Sequence, residues 1–140
     1  MDLQEVQSRI AARVRAIPLL AGLPVFEEER GNVAESVNQE IPRSSFCVVV
    51  GGLAFTDEAP DSAACYGRAT VAVDVFEDPL VNRATPGRAT YLRAAQEIAR
   101  ALKLFDTGDG LLTSPSISEP ADLGGGVVSC TVRLDLRTTL

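Results

Sequence analysis

The chain has 140 residues, 46% of them hydrophobic and 23% charged, a composition typical of a soluble globular protein with a real core. Its net charge is −6, and its 13 cationic residues are spread along the chain. Because a nucleic-acid groove needs clustered Lys and Arg, this balance argues against a nucleic-acid partner. The absence of histidine excludes Ser-His-Asp and Cys-His catalysis and every His-ligated metal site.

The three cysteines, Cys47, Cys65 and Cys130, are far apart and form no CxxC pair. Cys47 and Cys130 lie in apolar, strand-like segments, where a free cysteine is normally a small buried hydrophobe. We therefore expect neither a thiolate metal site nor a need for an oxidising compartment. The N-terminal segment lacks the layout of a signal peptide and no run approaches a membrane span, which predicts a cytoplasmic protein without a membrane partner.

The first part of the chain is predicted to form two helices and two strands. Pro18 ends the first helix, whose apolar residues recur at helical spacing. Asn32 and Glu35 form a weak capping box at the start of the second helix, and Pro42 closes it. A continuous apolar run then predicts a central strand buried on both faces. In chain order these elements are helix 3–17, strand 24–28, helix 32–41 and strand 45–52.

A long strand is predicted over residues 66–76, after a polar loop at 56–65. Apolar residues alternate with polar or small ones along it, which is the period of a strand with one packed face. Arg68 and Asp74 fall on the polar side of this strand. An acid-proline pair that begins at Asp78 then terminates the strand in a turn.

The last predicted helix covers residues 84–105, with Thr85 as its cap and Pro86 in its first turn. Its predicted core stripe is Leu92, Ala95, Ile98, Leu102 and Phe105. Two strands follow, at 111–118 and 126–136, and the glycine-containing spacer between them suits a hairpin.

The order of these elements predicts the fold class. Hairpin-linked strands with helices between them point to an α+β fold, with a mostly antiparallel sheet and helices packed on one of its faces. Each helix has a single apolar stripe, so each could cover that face. The length suits a single domain over residues 1–140.

Three acids gather near the end of the long strand and raise the question of catalysis. Asp74 could work with Glu77 or Asp78 if their surroundings separated their pKa values, with or without a divalent cation. We retain a small acidic cytosolic enzyme as the alternative hypothesis. The glycine pairs and triplets match no phosphate-binding motif, so no cofactor is expected.

Charged residues on the outer side of the two long strands suggest an interface instead. If the strands are neighbours, these residues would form cross-strand ion pairs, either on a solvated face or on a surface that docks a copy or a partner. The candidate interface residues are Arg68, Asp74, Arg133, Asp135 and Arg137.

Several segments in succession resemble one protein family. A helix ends in a turn, a buried strand leads to a long alternating strand, a helix follows, and an arginine-bearing strand closes the chain. The segments that carry the resemblance read IPLLAGLPV, VVVGG, RATVAVDVFEDPLVNR, RAAQEIARAL and VVSCTVRLDLRT. This succession resembles the tail terminator, or tail completion, proteins of long-tailed phages and prophages and the related minor tail proteins at the head–tail joint.

The resemblance implies a structural assembly protein without enzymatic activity. Subunits of that family close into a ring, commonly sixfold, which caps the tail tube and offers the head a surface to join. The implied partners are further copies of the chain, the tail tube protein and head–tail connector proteins. The implied location is the host cytoplasm first and the virion tail afterwards. The same resemblance makes the loop 56–65 and the spacer 119–126 candidates for segments that order on assembly.

Overall fold

A computed structural model describes residues 2–28 and 33–140 of the chain. The helices are α1 (Leu3–Arg15), α2 (Val33–Ser44), α3 (Pro79–Asn82) and α4 (Tyr91–Leu102), with a 3₁₀ turn at Pro18–Leu20. The strands are β1 (Val25–Glu27), β2 (Phe46–Val50), β3 (Ala54–Asp57), β4 (Tyr66–Glu77), β5 (Leu112–Ile117), β6 (Ala121–Asp122) and β7 (Val128–Thr139). No helix in these described ranges is long and apolar enough to cross a membrane.

The strands form one sheet in the order β1-β2-β4-β7-β5, with β3 added beside β4 and β6 beside β7. Strands β4 and β7 pair antiparallel along their whole length, from Tyr66 opposite Thr139 to Glu77 opposite Val128. The short β1–β2 pair is parallel, whereas the other ladders are antiparallel. The predicted α+β class with a mostly antiparallel sheet is therefore confirmed.

The hydrophobic core lies between one face of the sheet and helices α1 and α4. Alternate residues of β4 and β7 point into it, and this alternation is the period that the sequence displays. Helix α4 contributes Ala94, Ala95, Ile98 and Leu102, all buried. Leu92, expected in that stripe, is 46% exposed, because it lies on the opposite side of the helix from Ala94 and Ile98.

Helices α1 and α4 share the core face as expected, but α2 lies over the other face of the sheet, beside β2, so the prediction that the helices pack on one face is wrong for α2. Strand β2 is buried along its length, as the sequence predicted. Its residues Phe46, Val48 and Val50 point into the core, and Cys47 and Val49 point to the opposite face. That second apolar side needs its own cover, and α2 supplies it.

Some predicted element ends differ from the structure. Helix α2 runs on to Ser44 rather than closing at Pro42, because proline removes only one donor and the Ser45 amide still binds the Ile41 carbonyl at 2.9 Å. Ser45, with a φ of 62°, then ends the helix. The capping box predicted at Asn32 lies outside the described residues.

Helix α4 begins at Tyr91, and its N-cap is Thr90, whose hydroxyl accepts from the Arg93 amide at 3.3 Å, and not Thr85. Gly87 has a φ of 80°, a left-handed conformation that a helix starting at Thr85 could not contain. Upstream, β3 occupies the start of the predicted polar loop and pairs with β4, so the loop is shorter than expected. The spacer before β7 does form a hairpin, through β6.

Candidate interface on the polar face of the sheet

Strands β4 and β7 present one continuous surface on the side away from α1 and α4. We call this surface the polar face. The direct partners on it, across the β4–β7 ladder, are Arg68 with Arg137, Thr70 with Asp135, Ala72 with Arg133, and Asp74 with Thr131. All five candidate interface residues therefore lie together on one surface. Their sequence alternation predicted this arrangement, since residues two apart on a strand share a face.

The predicted cross-strand ion pairs do not form, and the register explains why. Each acid of the polar face lies opposite a threonine, so the threonine hydroxyls bind the carboxylates. The Thr131 hydroxyl donates a short hydrogen bond to Asp74, and the Thr70 hydroxyl donates to Asp135 at 3.1 Å. The acids are thus satisfied within the subunit without arginine.

The arginines of the polar face are exposed and largely unpartnered. Arg137 makes an ion pair with Glu58 at 3.3 Å, in which both side chains remain substantially exposed. Such a pair contributes about 0–1 kcal/mol. Arg68 and Arg133 are exposed and make no hydrogen bond or ion pair with any residue of the described chain. We call Arg68, Arg133 and Arg137 the arginine patch.

A groove with a volume of about 770 Å³ opens on the same face, where β4 ends and β7 begins. Helix α2 forms one wall and the turn between β6 and β7 forms the other. The apolar lining includes Val37, Ile41, Val49, Phe76 and Val127. Three acids, Glu28, Asp74 and Asp78, also line it.

Each groove acid already binds a protein group through one of its oxygens. Asp78 caps α3 by accepting from the Val81 amide at 3.3 Å, and Glu28 accepts from the Gly52 amide at 3.2 Å. Among the described residues, no group of three or more Cys, Asp or Glu side chains could hold a metal ion. The acids therefore give the groove negative charge without forming a cation site among the described residues.

One of the two carboxylate pairs of the enzyme hypothesis, Asp74 with Glu77, is divided between the two faces of the sheet. Asp74 points to the polar face, whereas Glu77, three residues later, points to the core side and is fully buried. Glu77 accepts hydrogen bonds from Asn82 Nδ2 at 2.5 Å and from the Tyr91 amide at 3.1 Å, and it faces Arg83 at 3.4 Å. Glu77 thereby ties the end of β4 to α3 and α4. Asp74 and Asp78 share the groove, but each is already engaged by the protein.

The cysteines show the burial that the sequence predicted for two of them. Cys47 is fully buried under α2, and burial, assisted by the charge of Glu40, raises its pKa to about 12. Burial likewise raises the pKa of Cys130, against a hydrogen bond to Ser118 that lowers it. Both side chains are protonated thiols at neutral pH and unsuited to nucleophilic work. Cys65 is exposed.

The groove is the feature that sequence reasoning missed. It forms because α2 lies over the polar face while Leu123–Val127 returns beside it, and neither placement has a local sequence signature. Gly124, Gly125 and Gly126 all have a φ between 63° and 85°, which explains the glycine run as a turn of left-handed residues.

Comparison with known proteins places the fold. No family model matches the chain, and no curated protein matches it. Among solved structures, a chain of the "virion of native gene transfer agent (GTA) particle" is similar, with a TM-score of 0.60 and 18% sequence identity. The similarity covers 96% of this chain and 94% of that chain. The two chains therefore share their fold over nearly their whole lengths.

Proposed function

We propose that this protein is a structural component of a phage-like particle, of the tail terminator kind. The observation that carries the proposal is the fold shared, over 96% of the chain, with a chain of a gene transfer agent virion. The resemblance of the sequence segments to tail terminator proteins supports the same class of protein. Since fold alone does not fix function, the surface features of the subunit must also suit assembly.

In this proposal residues 1–140 act as one assembly unit, which binds other subunits and tail proteins and does not catalyse a reaction. Copies close into a ring, sixfold as is common in that family, on the end of the tail tube. The ring stops tube growth and offers a surface to the head–tail connector proteins. The protein is made in the host cytoplasm and ends in the virion tail, with no nucleic acid, membrane or cofactor among its partners.

The polar face is the proposed contact surface, with Arg68, Asp74, Arg133, Asp135 and Arg137 as interface residues. Two features support this choice. Arg68 and Arg133 are exposed cations without a partner in the described chain, and the face beside them is only partly covered by α2. A ring requires heterologous contacts, and these need two different complementary patches on each subunit.

The test is loss of the gene in a bacterium that carries it and releases particles. A stop codon early in the gene, with the intact gene supplied on a plasmid as the control, is compared with wild type by electron microscopy. The proposal predicts tails of irregular length and heads separated from tails, both corrected by the plasmid. Particles with tails of normal length and attachment in the mutant would contradict it.

A further inference from the structure

The polar face carries two features of opposite charge. At one end lies the groove, lined by apolar side chains and by the acids Glu28, Asp74 and Asp78. Toward the other end lies the arginine patch, with Arg68 six residues before Asp74 on the same strand. At about 3.3 Å per residue, this spacing places Arg68 about 20 Å from Asp74, whereas Arg133, opposite Ala72, lies nearer the groove and makes no ion pair with Asp74. Arg68 therefore cannot reach the groove of its own subunit.

From this arrangement we propose that the groove of one subunit receives the arginine patch of a second copy of the same chain. The proposal rests on the self-assembly in the proposed function and names the surfaces that meet. The groove supplies apolar contact and negative charge, and the patch supplies unpartnered positive charge. Complementary potentials of this kind steer encounter and fix which surfaces dock.

The nature of the groove favours a protein surface over a small ligand. In the described part of the chain, every buried side-chain nitrogen and oxygen has a hydrogen-bond partner within the protein. No buried polar side chain there needs a bound molecule as its partner. The exposed rim includes Leu123, which is 54% exposed at the edge of the groove. A largely apolar lining combined with charged groups is typical of a protein interface.

The sheet edges are poorly suited to the alternative of strand addition between copies. Edge strand β1 has three residues, and Arg15 already donates to its Val25 carbonyl at 2.8 Å. Edge strand β5 contains Pro115 and an irregular register between Thr113 and Ser116. Short strands, prolines and bulges block edge pairing, so assembly through the face is favoured.

Two variants, each altering one side of the contact, test the proposal. Ala34→Trp fills the groove from an exposed position on α2, and Ala12→Trp, at an exposed position on α1, is its matched control. Arg68→Glu combined with Arg133→Glu reverses the two unpartnered arginines. Arg93→Glu combined with Arg100→Glu, on exposed positions of α4, is the control for the charge change.

Light scattering after size-exclusion chromatography gives the mass of each protein and of equimolar mixtures. We expect both test variants to be monomers by themselves, while the control variants assemble like wild type. Mixing the test variants should give a species of two subunits, since each variant keeps the half of the contact that the other has lost. This complementation is the result specific to the proposed pairing of surfaces.

The remaining outcomes separate this inference from the proposed function. If wild type forms a closed oligomer and both test variants do so too, the groove contact is wrong and the ring stands. If wild type forms only a dimer that both variants abolish, the contact stands and the ring is wrong. If wild type is a monomer at every concentration, both are wrong. Test variants that stay monomeric when mixed would also overturn the groove contact.

Discussion

Arg68 of β4 lies directly opposite Arg137 of β7, so two exposed arginines occupy paired positions on the same face of neighbouring strands. Like charges placed opposite each other in a sheet are destabilising. Within the subunit, Arg137 forms its ion pair with Glu58, which lies in the β3–β4 connection. Arg68 has no such partner in the described chain. The isolated subunit thus keeps an unfavourable pair on the face proposed for assembly, and an acidic partner surface would relieve it.

The first prediction concerns this pair. Arg68→Glu should stabilise the dissociated subunit, because it converts a like-charge pair into an opposite-charge pair worth about 0.2–1 kcal/mol. Arg93→Glu on α4 makes the same charge change away from the sheet and is the control. Urea denaturation, at a protein concentration where wild type is dissociated, gives the free energies of unfolding of wild type and of the two variants. A lower stability for Arg68→Glu than for Arg93→Glu would show that the opposed arginines do not cost stability.

Glu77 leads to a second prediction, about folding rather than assembly. Glu77→Ala should lower the free energy of unfolding substantially, because the Tyr91 amide and Asn82 Nδ2 lose their acceptor, at about 1–3 kcal/mol for each buried group left unsatisfied. The control is Glu97→Ala, which removes a partly exposed ion pair with Arg100 and should cost about 0–1 kcal/mol. Equal losses in the two variants, measured by denaturant unfolding, would count against the structural role of Glu77.

The third prediction follows from the buried thiol of Cys47, whose pKa is raised from 9.0 to about 12. The unfolded chain releases this proton at a lower pH than the folded chain. The resulting stability is fully present below pH 9 and is lost as the pH rises from about 9 toward 12. Above pH 9, the free energy of unfolding of wild type should therefore fall relative to that of Cys47→Ala, by up to about 1.4 kcal/mol per pH unit.

The measurement is the free energy of unfolding of both proteins between pH 7.5 and pH 10.5. The difference at pH 7.5 records the cavity that the substitution leaves, and this contribution does not depend on pH. The decrease of this free-energy difference at higher pH measures the contribution of the Cys47 thiol alone. Parallel curves across the whole range would mean that Cys47 titrates alike in the folded and unfolded states.

A fourth prediction addresses the enzyme hypothesis. Because Asp74 and Glu77 face opposite sides of the sheet, and no metal-binding cluster exists among the described residues, Mg²⁺, Mn²⁺ and Ca²⁺ should leave the melting temperature unchanged. A cation that binds the native state at 100 times its Kd would add about 2.7 kcal/mol. A rise in melting temperature that EDTA and Asp74→Asn both abolish would revive that hypothesis.

The sequence is most informative where one local pattern determines the result. The period-2 alternation of β4 and β7 predicted both strands and placed the five candidate interface residues on one face. The unbroken apolar run of β2 predicted a strand covered on both sides. The sequence did not identify the element that covers the second side of β2, because an amphipathic helix such as α2 suits either face of a sheet.

The missed features depend on contacts between distant segments. The N-cap at Thr90, instead of Thr85, follows from the left-handed Gly87 and from contacts of the preceding loop, including Asn82 Nδ2 to the Ala89 carbonyl at 2.8 Å. The expected ion pairs failed because of register: a shift of two residues between β4 and β7 would have set Arg68 opposite Asp135. Register of this kind is decided by core packing and turns along the whole ladder.

The solution mass of the purified wild-type protein, measured by light scattering across a wide range of concentrations, tests the central claim most directly. A heterologous contact that closes predicts a transition from monomer to one larger species whose mass, near six subunits, stops growing with concentration. Raising the salt concentration should move this transition to higher protein concentration, since the contact is partly electrostatic. A mass that stays at one subunit, or that grows without limit, would contradict assembly into a ring.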